Sequence, residues 1–240
     1  MQTTVGQDRP ASRTAQFSGQ DVPHFSPNEC LVGIVRKERA ARRDVRIAVK
    51  GLGEIMLLGS QGTFVSAVKD MGEFCRAPFA SYEISSIAAP QDGPDSPPRR
   101  RLEELLWCAA FHASDGRLLE GCLLTDLIRM PRWPNMTRLP ITDNSMRICA
   151  RLVNFPTTVI LIASILKIDR SEVLQFYSAA FTAGFVTVMN REGAGTSESV
   201  SDDPSHSHGD EAPADGESAP DEQPKNQRLF GLLFKKLLGL

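Results

Sequence analysis

Cys108 and His112 stand four residues apart in Cys-Ala-Ala-Phe-His, a spacing that puts a thiol and an imidazole on one face of a helix. Such a pair is the start of a thiol nucleophile with its base, or half of a zinc site. Either chemistry needs more. Zinc wants a second ligand pair at short spacing, and the chain contains no C-x-x-C and no H-x-x-x-H. Of the four histidines, His206 and His208 fall in an acidic low-complexity stretch and His24 in a polar leader, which leaves His112 alone. Gly51-Leu-Gly53 lacks the third glycine and the Lys-Ser/Thr of a phosphate loop. Five scattered cysteines fit a reducing compartment and core packing better than a disulfide framework. The expectation is therefore a non-enzyme with no catalytic residue, no metal site and no cofactor.

Binding chemistry is better represented. Arg36, Lys37, Arg39, Arg42, Arg43 and Arg46 form a basic run ahead of a β-rich segment, and Arg99-Arg100-Arg101 opens a helix. Arg42, Arg43, Arg46, Arg99, Arg100 and Arg101 make a candidate anion surface for nucleic acid, nucleotide or acidic lipid. The plainer reading is a solvated strand edge blunted by charge, with Glu103 and Glu104 compensating the triple arginine. The most specific feature is the last stretch, Arg228-Leu-Phe-Gly-Leu-Leu-Phe-Lys-Lys-Leu-Leu-Gly-Leu240. On a helical wheel, Leu229, Phe230, Leu233, Phe234, Leu237, Leu238 and Leu240 oppose a strip holding Arg228 and Lys235. Docking of this segment in a partner's groove is favoured. An in-plane membrane anchor and a helix folded back on the chain's own body remain open.

These residues must be held by elements, and charge shows how the chain divides. The formal net charge of −2, from 27 Lys plus Arg against 29 Asp plus Glu, is a cancellation. Between Glu192 and Pro224 there are ten acidic residues and no Lys or Arg, whereas the sixteen residues from Lys225 hold four basic residues and no acidic one. Residues 191–227 accordingly read as a disordered acidic linker, and residues 1–29 as a disordered leader without a secretory signal. Residues 30–90 alternate as a small β-β-β-α-β module with runs at Val45–Val49, Glu54–Leu58 and Thr63–Ala67, a short helix over Lys69–Arg76 and a closing strand. Residues 91–98, proline-rich, form a linker to a helical module over residues 99–190. There, Leu102, Leu105, Leu106, Ala109 and Ala113 make a helical stripe that Asp115-Gly116 ends. Met130 to Pro140 reads as an extended connector packed down by Trp133. The fold class is α+β.

Further on, a helix over Asn144–Val153 meets Asn154-Phe-Pro156, a second helix spans Thr158–Leu166, and a tight turn at Lys167-Ile-Asp169 opens a third that ends at Gly184. Asp169 and Glu172 have capping-box spacing, and Ile168 with Val173 has that of a hydrophobic staple. The text LVNFPTTVILIASILKIDRSEVLQFYSAAFTAGFV, within residues 144–189, resembles the winged helix-turn-helix superfamily, which includes DNA-binding repressors and winged helices that dock on proteins. More loosely, the chain resembles an uncharacterised proteobacterial group associated with small GTPase and roadblock regulatory cassettes. Arg42-Arg43-Asp-Val-Arg46 also resembles the start of PilZ cyclic-dinucleotide domains, without that family's second signature. The third helix offers base edges only Arg170, Ser171 and Gln175, and no basic second wing strand follows Met189. The expected function is a cytoplasmic, non-enzymatic bacterial adaptor that binds protein partners through a winged-helix-like module and the C-terminal segment, with peripheral membrane contact through that segment as an option. The alternatives are a DNA-binding regulator whose acidic linker competes for the basic face, and a cyclic-dinucleotide sensor.

Overall fold

The computed structural model describes residues 22–87 and 98–191. The chain enters through β1 (His24–Phe25) and α1 (Leu31–Ala40). There follow β2 (Asp44–Val49), β3 (Gly53–Leu58), β4 (Thr63–Ser66), α2 (Met71–Arg76) and β5 (Glu83–Ser86), the β-β-β-α-β order that alternation predicts. Next, β6 (Arg100–Arg101) runs straight into α3 (Leu102–Ser114), followed by β7 (Leu118–Leu119) and β8 (Leu127–Arg129). The described part closes with α4 (Ser145–Asn154), β9 (Thr157–Thr158), α5 (Val159–Leu166), α6 (Arg170–Thr182) and β10 (Thr187–Val188). The fold class is α+β.

Register explains the larger sheet, whose order is β5-β2-β3-β4-β6 with every pair antiparallel. Ile47 faces Ile55 and Val45 faces Leu57, so a run of apolar pairs points inward with Val49 and Phe64. The intervening Arg46 and Glu54 point outward and pair at 2.7 Å. The period of two thus decides which side meets the helices. α3 lies at the centre of the described core, with Leu102, Leu105, Leu106, Trp107, Cys108, Ala109 and Ala110 all buried. Asp115 (φ 45°) and Gly116 (φ 76°) take left-handed conformations and stop it where the sequence says.

Several expectations are corrected. Order begins well before residue 30, because Phe25 is buried and β1 pairs in parallel with β7. The basic run from Arg36 lies largely on α1, whose Leu31, Val32, Ile34, Val35 and Glu38 are buried; the sequence reading had it at a strand edge. The proline-rich break does not separate two cores. Arg100 and Arg101 join the sheet through β4, and one apolar cluster runs from α1 and the sheet through α3 to α6. Trp133 is 45% exposed and does not pack the connector down. Trp107 does so instead, donating from Nε1 to the Pro140 carbonyl at 3.0 Å, while Arg132 stacks 4.8 Å from the Phe185 ring centroid.

Around α6 the local grammar is partly as expected. Asp169 caps it by accepting from the Ser171 amide at 2.7 Å. Glu172 does not complete a capping box; its carboxylate accepts from Asn144 Nδ2 at 3.1 and 3.2 Å, tying α6 to the start of α4. Gly184, at φ 76°, ends the helix, with the Phe185 amide donating to Ala180 and the Gly184 amide to Phe181. A three-stranded sheet of order β10-β8-β9 lies beside these helices, with β8 in the middle pairing Ile128 with both Thr157 and Val188. The described residues belong to one compact unit.

Candidate interaction surface

The Cys108–His112 pair is placed on one helix, as its spacing requires, but the groups are not poised for chemistry. Cys108 is buried, and burial pushes its thiol up to about 11. Arg76 Nη1 lies 3.0 Å from His112 Nδ1. A guanidinium has only donors, so Nδ1 accepts and the ring proton sits on Nε2. Burial, then the Arg76 charge, lower the imidazole's pKa; Asp70 opposes them. Cys122 and Cys149 are likewise pushed up to about 12 by burial. These cysteines are held as thiols, and a thiol is a poor nucleophile. A groove of about 570 Å³ runs past Cys108 and His112, lined also by Met71, Arg100, Arg138 and Pro140. Among the described residues no cluster of three His, Cys, Asp or Glu side chains could hold a metal ion.

The arginines chosen from the sequence do converge. Because Asp44 faces Leu58 and Thr63 faces Arg101, both groups lie at one end of the five-stranded sheet, either side of the β3–β4 turn. Most of that charge is engaged. Arg43 makes a two-point contact with buried Glu38 at 2.7 and 3.0 Å, and Arg46 pairs with Glu54. Arg100 pairs with Glu104 at 2.8 Å and lies 5.2 Å from the Phe64 ring centroid. Arg99 donates to the Gln61 side chain. Arg42 and Arg101 are exposed and form no ion pair among the described residues. The C-terminal residues Arg228, Leu229, Phe230, Leu233, Phe234, Leu237, Leu238 and Leu240 lie outside the described residues.

The helix pair after β9 holds the clearest departure from ordinary burial. α5 reads Val-Ile-Leu-Ile-Ala-Ser-Ile-Leu, yet only Val159 and Ile162 are buried. Ile165 is 49% exposed, and Leu161, one turn earlier, is half-buried. Phe155, at the end of α4, is 57% exposed, and Met146 of α4 is 49% exposed. α6 is the reverse. Val173, Leu174, Phe176, Tyr177, Ser178, Ala179, Ala180 and Thr182 are all buried, and Ser171 is the one exposed residue of the helix. Phe176 meets Trp107 edge-on at 5.4 Å, and Gln175 donates to the Phe111 carbonyl at 3.0 Å, so α6 is spent on α3. The sequence singled out this helix pair but did not say which member faced solvent. Comparison with known protein families, curated proteins and solved structures returns no match to this chain.

Proposed function

We propose that this protein is a non-enzymatic adaptor or regulatory protein that docks a protein partner on the outer face of α4 and α5, within a winged-helix-like arrangement of α4, β9, α5, α6 and β10. One observation carries this reading: a helix of seven apolar residues and a serine fully buries two of them, packs Ile160, Ala163 and Leu166 partly on the core, and leaves Leu161 and Ile165 on its outer side. Ile165, half exposed, forgoes about 1 kcal/mol of burial, and Leu161, Met146 and Phe155 add to what a partner would recover. The pattern also weighs against base recognition. A reading helix must enter the major groove, and α6 would first have to leave α3. The small sheet beside these helices takes its central strand, β8, from upstream, with β10 as one edge.

A photo-crosslinking residue at Ile165 in cells tests the docking surface, with the same residue at exposed Glu83 on β5 as control. The expected outcome is one discrete adduct from position 165 that Met146→Asp, at an exposed position of α4, weakens without changing Tm. Adducts no different from those at position 83 would remove the basis for the proposal.

A further inference from the structure

The chemistry of the occupant can be read from charge. Residues 145–168 contain Arg147, Arg151 and Lys167 and no aspartate or glutamate. The two arginines stand on successive turns of α4, one tied to the last residue of α5 and the other to Thr157 of β9, just ahead of it. Arg147 donates from Nη2 to the Leu166 carbonyl at 2.7 Å and from Nη1 to Asn144 Oδ1 at 2.7 Å. Arg151 donates from Nε to Thr157 Oγ1 at 3.1 Å and lies 4.9 Å from the Phe155 ring centroid. All of these partners are neutral. The guanidinium groups are therefore fixed in position without a direct ion pair, Arg147 reaching Glu172 only through Asn144, and exposed Lys167 adds a third cation where α5 ends.

An apolar helix face bracketed by two fixed guanidinium groups is the complement of another helix with the opposite ends. We infer that the α4–α5 face receives an amphipathic helix of a partner protein whose apolar stripe is bracketed by carboxylates; this rests on the docking reading above. The eight residues of α5 rise about 12 Å, and two carboxylates on one face of a partner helix come nearest to that span at seven positions apart, two turns. Charge-assisted pairs at the two ends set register and choice of partner, while the apolar stripe between them supplies burial.

Charge also decides against the rival occupants. A second copy of this face would bring like cations together. The apolar C-terminal stretch from Arg228 carries Arg228, Lys235 and Lys236 and no acid, so it too is like-charged. The stretch Glu192–Pro224 has the right charge but offers Val200 as its single large aliphatic residue. Against an anionic membrane, cations work best on free stems that follow the headgroups, and Arg147 and Arg151 are tied to a carbonyl and a hydroxyl.

The test uses the full chain and a fluorescent alanine-based helical peptide with leucines at i and i+4 and glutamates at i−1 and i+6, seven residues apart on one flank of the leucines. A counterpart has lysine for each glutamate, and binding is read by anisotropy at physiological salt. The glutamate peptide should bind at least about tenfold more tightly than the lysine peptide. Arg147→Gln with Arg151→Gln should weaken it by about the same factor and flatten its salt dependence, and Ile165→Ser should abolish binding. Arg147→Lys with Arg151→Lys, which keeps the charge, should retain most of the affinity and guards against a folding defect. Equal binding of the two peptides, or none up to millimolar concentration, overturns the inference. So does uptake by phosphatidylserine vesicles, or self-association, that depends on Ile165. A crosslinked adduct at position 165 alongside peptide indifference leaves docking standing and removes only the acidic bracket; no adduct removes both.

Discussion

α5 and α6 are neighbours in sequence, joined by the turn at Lys167, and they treat hydrophobicity in opposite ways. α5 contains no charged residue and Ser164 as its one polar side chain, yet only Val159 and Ile162 are buried and Ile165 is half exposed. α6 contains Arg170, Ser171, Glu172, Gln175 and Ser178 and is almost enclosed. Composition did not assign burial here; the neighbours did. α6 runs along α3, where Ser178, Ala179 and Ala180 let the backbones approach and Ser178 accepts from the Leu119 amide at 2.9 Å. α5 rests on α4, α6 and β9 through one side, and the described structure supplies nothing for the other. An apolar surface that a fold does not use is a stronger pointer to a partner than one charged patch whose members already have partners.

The comparison breaks most severely at the α3–α6 contact. Phe176→Ala removes a ring held edge-on to Trp107 inside a packed core. The expected loss is about 3–5 kcal/mol, a fall in Tm of about 10 °C, measured by calorimetry or urea unfolding. A loss below about 1 kcal/mol would mean that α6 is not the core helix described.

Next comes the polar lock on α6. Asp126, buried, accepts from the Tyr177 hydroxyl at 2.6 Å, from Arg191 Nε at 2.6 Å and from the Leu123 amide at 2.7 Å. Arg191 also donates to the Gly121 carbonyl at 2.6 Å, which fastens the chain just after β10. Arg191→Met leaves a buried carboxylate without its cation, with the tyrosine hydroxyl as a partial substitute. The expected cost is about 2–3 kcal/mol, reduced from the fully buried case because the arginine is a quarter exposed. Asp126→Asn with Arg191→Met should cost less than the two single changes summed.

A smaller effect comes from pH, through the other side of α3. His112 has its pKa lowered in the folded chain, chiefly by burial and then by Arg76. Around pH 6.5 and below, the unfolded chain therefore holds more protons than the folded one, and protonation favours unfolding. Stability is expected to be full above about pH 7 and to decline as pH falls through the ordinary histidine range. His112→Gln should remove that part of the slope between pH 7.5 and 5.5. An unchanged slope would assign the decline to other groups.

How much of this was legible in the residues varies with the length of the signal. Alternation from Val45 to Val65 was long enough to define three strands, and Asp115-Gly116 marked the end of α3 without help from tertiary structure. β1, β7 and β8 were invisible because two- or three-residue strands have no period; partners across the fold create them. α1 was missed because its basic residues drew attention to charge, while Leu31, Val32, Ile34, Val35 and Glu38 already had helical spacing. Trp133 was assigned the role of Trp107 since size says nothing about direction. In the candidate site, the absence of acids from residues 145–168 was readable from the start. Exposure was not, because an apolar run looks the same whether it is core or surface.

The smallest expected change in stability is the most informative about function. Ile165→Asp places a charge on α5 where about half of the side chain already meets water and where Arg147 and Lys167 lie near. A surface substitution of this kind should alter stability by no more than about 0.5 kcal/mol. The same change at Ile162, one turn earlier and about 60° round the helix toward the core, should unfold the helix pair or cost several kcal/mol, since an unpaired carboxylate would be buried there. The contrast between Ile162→Asp and Ile165→Asp, one tolerated and one not, reads the orientation of α5 directly. If the two behave alike, α5 packs differently in solution and its outer face is not free to bind. If they differ as expected, Ile165→Asp becomes the folded variant in which docking can be lost while the rest of the molecule is intact.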